Sequence, residues 1–495
     1  MSILIKQRLL LSLTIAIFFA VGLSSCKKFL DLKPENAITR EDFFKTKDDA
    51  FAAIIGCYDG LQSGVTINGV NYPAFVSQAL TWGEMRADLV TFTATNTLYM
   101  QNIDKTQTYC NWGSFYNTIG RANLVIEFVP QIPSLDNNFS VADSKKIIAE
   151  AKFLRALSYF YLVRAFKEVP LVLQAPSSDD VQYFIPKSSA DTVLNQIEAD
   201  LLDADESIPV SYNTNPQTRG RATKAAVNAL QADVYMWRAK YQEAADAAQK
   251  VLANSAQYSL VPGSDWFTIF SQKNSTESIF EVQFDNGINE TNNLRSLIGT
   301  TNNVLISYYD GEKDVMRSLY NTYAQGNGSW KYNGLTNNNT AIARTTNDPN
   351  FIVYRLPDVM LMKAEALARL GSFAQKTEAI TLLDSVRNRV ALAPYDARKG
   401  GNLDGNSPTD LMIELIIKER AMELAHEGKR WFDLVRIATN DNKPSFLIDR
   451  VVQSRLVGDR QLIRSRIIDT RSWYLPIAQS ELQANNQLVQ NPFYK

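Results

Sequence analysis

The sequence predicts a mainly α fold, a scaffold of stacked helix pairs that carries long loop insertions and few short strands. Three observations predict it. Residues 221–252 and 356–390 each read as two helices whose small and apolar residues recur at helical spacing. AEAKFLRALSYFYLVRAF (149–166) is apolar or aromatic around most of a helical wheel. Residues 286–350 hold 14 asparagines among glycines and threonines, a composition that suits surface loops and no core helix.

The chain opens on a leader. Lys6 and Arg8 precede a 15-residue apolar run, Leu9 to Leu23, which is too short to span a bilayer and is followed by small residues. Leu-Ser-Ser-Cys looks like a bacterial lipobox, which would make residues 1–25 a signal peptide and Cys26 a lipidated N-terminus. One acyl chain anchors weakly, and two or three hold stably. Ordinary secretion, with Cys26 in a discarded stretch, is the plainer alternative. Residues 26–38 then form a tether, and residues 39–495 a single domain, with the loop-rich insertion at about 286–350.

Helical signals follow in order. Thr39 to Asp42 and Thr46 to Asp49 both fit the S/T-x-x-acid opening of a helix. In 149–166 and its flank, Lys152, Arg155, Arg164 and Lys167 share half of the wheel, which leaves the rest to helix–helix contact. The 221–252 pair turns at about Arg238 to Tyr241, and the 356–390 pair at Leu370-Gly371-Ser372. Both resemble the tetratricopeptide helix pair, without its strict period. SIFEVQF (278–284) suits a short strand.

Composition excludes several chemistries. With 45% hydrophobic and 21% charged residues the chain is ordinary globular protein. The net charge is −1, or −3 once Lys6 and Arg8 leave with the leader, so nucleic acid has no electrostatic footprint. His426 is the single histidine, and no zinc, P-loop or dinucleotide motif occurs. No cofactor or metal is expected. Cys57 and Cys110 could pair, or Cys57 could be a buried free thiol.

Several segments, in order, resemble the SusD/RagB family of outer-membrane nutrient-binding lipoproteins. They are the lipobox with Phe29-Leu30-Asp31, GRANLVIE (120–127), AEAKFLRALSYFYLVRAFKEVPLV (149–172) and GRATKAAVNALQADVY (220–235). YRLPDVMLMKAEAL (354–367), ERAMELAHEGKRWFDLVR (419–436) and WYLPIAQSELQANNQLVQNPFY (473–494) complete the series. Lys429 departs from the family, which often has histidine there, and is expected to alter local packing only. The resemblance implies a tetratricopeptide-like helical scaffold at the cell outer membrane. It also implies a SusC-like TonB-dependent barrel as partner and an oligosaccharide or peptide as cargo, bound and delivered without chemistry.

A sugar site needs aromatic platforms and a few polar partners in a concave surface. Trp112, Trp237, Trp266, Trp431 and Trp473 lie in helical or family packing segments, which leaves Trp82 and Trp330. Around Trp82 stand Glu84, Arg86, Asp88, Asn96 and Tyr99. Tyr332 accompanies Trp330 in the asparagine-rich loops, and Tyr308 and Tyr309 are further candidates. The expected ligand set is therefore Trp82, Arg86, Asp88, Asn96, Tyr99, Tyr308, Tyr309, Trp330 and Tyr332, each with an ordinary packing role as its alternative. Glu419, Glu423 and Glu427, at i, i+4 and i+8 on an expected helix, read as a structural ion-pair network or as the carboxylate pair of a surface glycosidase. A periplasmic assembly scaffold is the third hypothesis.

Overall fold

The computed structural model describes residues 43–67, 69–175, 184–337, 341–395 and 403–495. The leader, Cys26, the tether and the 39–42 capping signal lie outside them. Helices of eight or more residues are numbered α1 to α14. Residues 46–495 form one unit, and 43–45 are the described part of the segment before it.

Thr46 starts α1 (Lys47–Gln62) as the sequence predicts: its hydroxyl accepts from Asp49 N at 3.3 Å, and the Asp49 carboxylate accepts from Thr46 N at 2.7 Å. Two satisfied end groups make a capping box. There follow α2 (Phe75–Glu84), α3 (Gly113–Phe128), α4 (Val141–Phe166) and α5 (Ala190–Ser207). The first expected pair is α6 (Lys224–Trp237) and α7 (Tyr241–Leu252). The second is α9 (Leu356–Leu370) and α10 (Phe373–Arg389), and α8 (Asn303–Glu312) lies between them in sequence. Gly371 occupies the turn of the second pair at φ 86°. The helices α1, α3, α4, α5, α6, α7, α9 and α10 pack each against the next, so the scaffold is the helical stack the sequence predicts. The strand Ser278–Val282 pairs antiparallel with Phe351–Arg355, and all five residues of each are buried.

Two expectations need correction. In α4 only part of the basic half of the wheel faces water: Lys167 is exposed and Lys152 half-buried, but Arg155 grips Asp200 through two bonds of 2.8 and 2.6 Å. Arg164 lies over the rings of Phe160, Tyr161 and Phe432 at 4.0–4.5 Å. Helices pack on both sides of α4, so the two arginines of the expected stripe are buried cations. The acidic helix α11 (Thr409–Leu424) ends before Glu427, which falls in a turn ahead of α12 (Arg430–Asn440). The chain closes with α13 (Pro444–Gln453) and α14 (Arg460–Ile467).

The turn between α11 and α12 is seated on α2. A Cβ at Gly83 would fall 1.9 Å from the carbonyl oxygen of Gly428, so only glycine permits the contact. Glu84 Oε1 accepts from Gly428 N at 3.0 Å and Lys429 N at 3.3 Å, and burial pushes its carboxyl up to about 8. Lys429 is buried, as a packing residue: its ammonium donates to Val353 O at 2.6 Å and faces Asp358 at 3.0 Å. His426 has left-handed backbone (φ 67°) and a fully buried ring; burial, reinforced by the Lys331 ammonium, lowers its imidazole to about 3. Cys57 and Cys110 are both free and buried.

His426 makes stability depend on pH. The folded chain keeps the imidazole neutral down to about pH 3, whereas the unfolded chain protonates it near 6.5. The unfolded state binds the extra proton between those values, so this contribution is whole above 6.5 and falls with pH, by about 2 kcal/mol at pH 5. Glu84 acts in the opposite sense, so the wild-type curve alone hides the effect. His426→Asn, which tolerates the left-handed backbone, should lose less stability than wild type between pH 7 and pH 5 in urea unfolding.

Candidate functional site

The densest charges of the chain form its interior. Glu419 accepts from Arg317 at 2.6 Å and Arg387 at 3.0 Å. Glu423 accepts from Arg317 at 2.8 Å and also from Arg355 and Arg389. Glu427 takes Lys331 at 2.6 Å and Arg355 through two bonds of 2.8 Å. Arg355 and Arg389 also reach Glu277, and Arg317 reaches Asp314 at 2.6 Å. Burial alone would push the Glu423 carboxyl up; Arg389, Arg355 and Arg317 override it and hold the group well below the ordinary range. A general acid needs a raised pKa and access to substrate, and this carboxylate has neither.

That interior claims most of the expected ligand residues. Trp82 is 2% exposed, stacks on Phe115 at 4.7 Å, and donates its indole N–H to Tyr109 O at 2.8 Å. Arg86 donates to Gln101, Ser472 and Trp473 and lies over Trp431 at 4.1 Å. Asp88 is bound by Arg430 through two bonds of 2.7 and 2.8 Å. Tyr99 is covered by Arg455, 3.9 Å from its ring centre. Tyr309 is buried and donates its hydroxyl to Met422 O at 2.7 Å. Trp330 and Tyr332 are 5% and 3% exposed. They flank Lys331, whose ammonium enters the charge lattice, so part of the asparagine-rich stretch folds inward. These seven side chains are core and cannot meet a ligand at the surface.

Asn96 and Tyr308 remain, both half-buried, on neighbouring segments. The two-residue strand Val90–Thr91 pairs antiparallel with Thr300–Thr301, which brings the 92–97 loop beside the start of α8. Asn302 fastens the junction: its Nδ2 donates to Thr91 Oγ1 at 2.8 Å and Ser454 O at 2.9 Å, while Oδ1 caps α8 at Val304 N. A Cβ on Gly299 would stand 2.3 Å from Thr91 O and 2.9 Å from the Phe92 ring, so a glycine admits that ring here. Phe92 is half-buried, Thr93, Thr95 and Asn303 are exposed, and Leu456 and Val457 project beyond Ser454. The strand pair thus sets the half-buried Phe92 ring among hydroxyl and amide groups, while Tyr308 lies further along α8, its ring 5.7 Å from the Lys418 ammonium. Phe92 and Asn303 are not among the residues expected from the sequence, because nothing local announces that 90–91 and 300–301 are partners.

A larger concavity, about 540 Å³, lies among Gln62, Ser77, Glu290, Asn292 and Asn293. Several of its polar groups are already committed: Asn292 donates to Pro349 O, Ser77 to Asn293, and Gln62 to Gln283 O. Ser77 on Asn293 and Gln62 on Glu290 tie the insertion to α2 and α1.

A model of the SusD family matches residues 282–494, and one described as starch-binding associating with outer membrane matches 28–236. The chain belongs to the SusD/RagB family. This SusD/RagB chain is 28% identical to SusD-like protein P38 of Formosa agariphila, over 86% of its own length and 91% of that protein's. It is 24% identical to a SusD-like protein of Bacteroides ovatus, over 88% and 83% of the two chains. Among solved structures, a SusD superfamily protein from Bacteroides vulgatus shares its fold with a TM-score of 0.70 at 20% identity, covering 91% and 100% of the chains. A laminarin-binding SusD-like protein gives 0.66 at 25% identity with the same coverage.

Two stability measurements check this assignment of roles in the SusD/RagB chain. Arg317→Met leaves Glu419 and Glu423 short of a buried partner and should cost about 3–5 kcal/mol in urea unfolding. Trp330→Ala should cost a similar amount, about 3–5 kcal/mol, because it opens a core cavity.

Proposed function

We propose that this protein is a lipid-anchored receptor on the outer cell surface that captures an oligosaccharide and delivers it, uncleaved, to a SusC-like TonB-dependent barrel. Family membership carries the reading, and the starch-binding description of the 28–236 match supports a glycan as cargo. The laminarin-binding neighbour supports the same class. Cys26 is the proposed lipid site, and residues 39–495 act as one ligand-holding body.

The proposed contact surface is the 92–97 loop with α8 from Asn303 to Tyr308. Phe92 and Tyr308 supply C–H-facing rings, and Thr93, Asn96 and Asn303 supply hydroxyl and amide partners. Binding without cleavage agrees with the Glu419, Glu423 and Glu427 carboxylates being held in the core by cationic partners.

Titration calorimetry with a laminarin oligosaccharide tests it. The double variant Phe92→Ala, Tyr308→Ala should weaken binding at least tenfold, about 1.4 kcal/mol, with an unchanged helical circular dichroism spectrum. Undiminished affinity would remove this surface from the reading, and release of reducing ends would replace the receptor with an enzyme.

A further inference from the structure

A second polar cavity lies away from that surface, at the end of α4. Its volume is about 320 Å³, at the lower end of ligand pockets, and Lys167, Glu168, Lys187, Thr439, Arg471 and Tyr474 are among its lining. Lys167 holds an unusual backbone. Its φ is 70° and ψ −58°, and Glu168 N donates back to Phe166 O at 2.9 Å. That is a γ-turn with positive φ, a strained arrangement that a side chain worsens and glycine relieves. Strain of this kind gathers at functional sites.

The strained residue is also the unmatched charge. Lys187 pairs with Glu168 at 2.9 Å, and Arg471 with Asp469 at 2.6 Å. Lys167 has no carboxylate within ion-pair distance among the described residues; its ammonium stands 5.5 Å from the ring centre of Tyr474, which is half-buried. A free cation beside an aromatic face, in a cavity with the exposed hydroxyls of Thr439 and Thr470, has the complement of an acidic sugar.

We propose that this cavity is a separate subsite for a carboxylate-bearing sugar unit, with the carboxylate on Lys167 Nζ, a ring face on Tyr474 and hydroxyls toward Thr439 and Thr470. The proposal rests on the reading of the protein as a saccharide receptor and adds the charge class of one of its ligands.

The test uses purified full-length protein, trigalacturonate, its fully methyl-esterified form and a neutral laminarin oligosaccharide. Wild type should bind the acid at least tenfold more tightly than the ester. Lys167→Gly and Lys167→Asn should both abolish that difference, and Lys167→Gly should melt no lower than wild type because it releases the turn. Equal binding of acid and ester, no binding of the acid, or a difference that survives both substitutions overturns the proposal. Laminarin binding separates the two readings: if it persists while the acid arm fails, the subsite alone falls. If no saccharide of any kind binds, the receptor reading falls with it.

Discussion

The fold depends on a lattice of arginine and glutamate side chains buried around α11. Glu419, Glu423 and Glu427 are each met by at least two cations, brought from residue 317, the 330–333 turn, the 351–355 strand and α10. Taking such charges from water costs several kcal/mol each, and the cost is offset only when every partner arrives with good geometry. The lattice therefore works as a register device. The asparagine-rich insertion and the strand pair must dock on α11 in one arrangement, or charges are stranded in the core.

This constraint shapes the remainder of the molecule. The helix stack is mostly apolar with a few directional pairs such as Arg155 on Asp200, whereas such pairs are denser in the C-terminal half. Arg430 on Asp88, Arg420 on Asp358 and Asp433, and Arg436 on Glu365 extend the pattern from α12 toward α2 and α9. The surface beside α8 is held by the same elements. Leu89, Leu305 and Tyr309 pack with Ala421, Met422 and Ala425, so α8 and the segment before the 92–97 loop are anchored on α11 and the turn after it.

Much of the scaffold was legible in the sequence because its signals are local. A capping box, a glycine at a helix end and alanines at helical spacing each act over a few residues, and all fell where expected. The site was poorly legible because it depends on pairings far apart in the chain. The polar neighbours of Trp330 point to the surface, yet Lys331, one residue on, pairs with Glu427 in the core. Trp82 was likewise chosen by elimination, although α2 is buried along its whole length. Phe92 and Asn303 come near one another only through the pairing of residues 90–91 with 300–301, which no local signal announces.

Cys57 and Cys110 sit unlinked in the interior, and desolvation suppresses thiolate formation at both. No covalent cross-link between these two cysteines, then, contributes to holding the folded chain together. A polypeptide of this kind can reach its final form with or without an oxidant, and the speed at which it does so should be indifferent to the redox state of its surroundings.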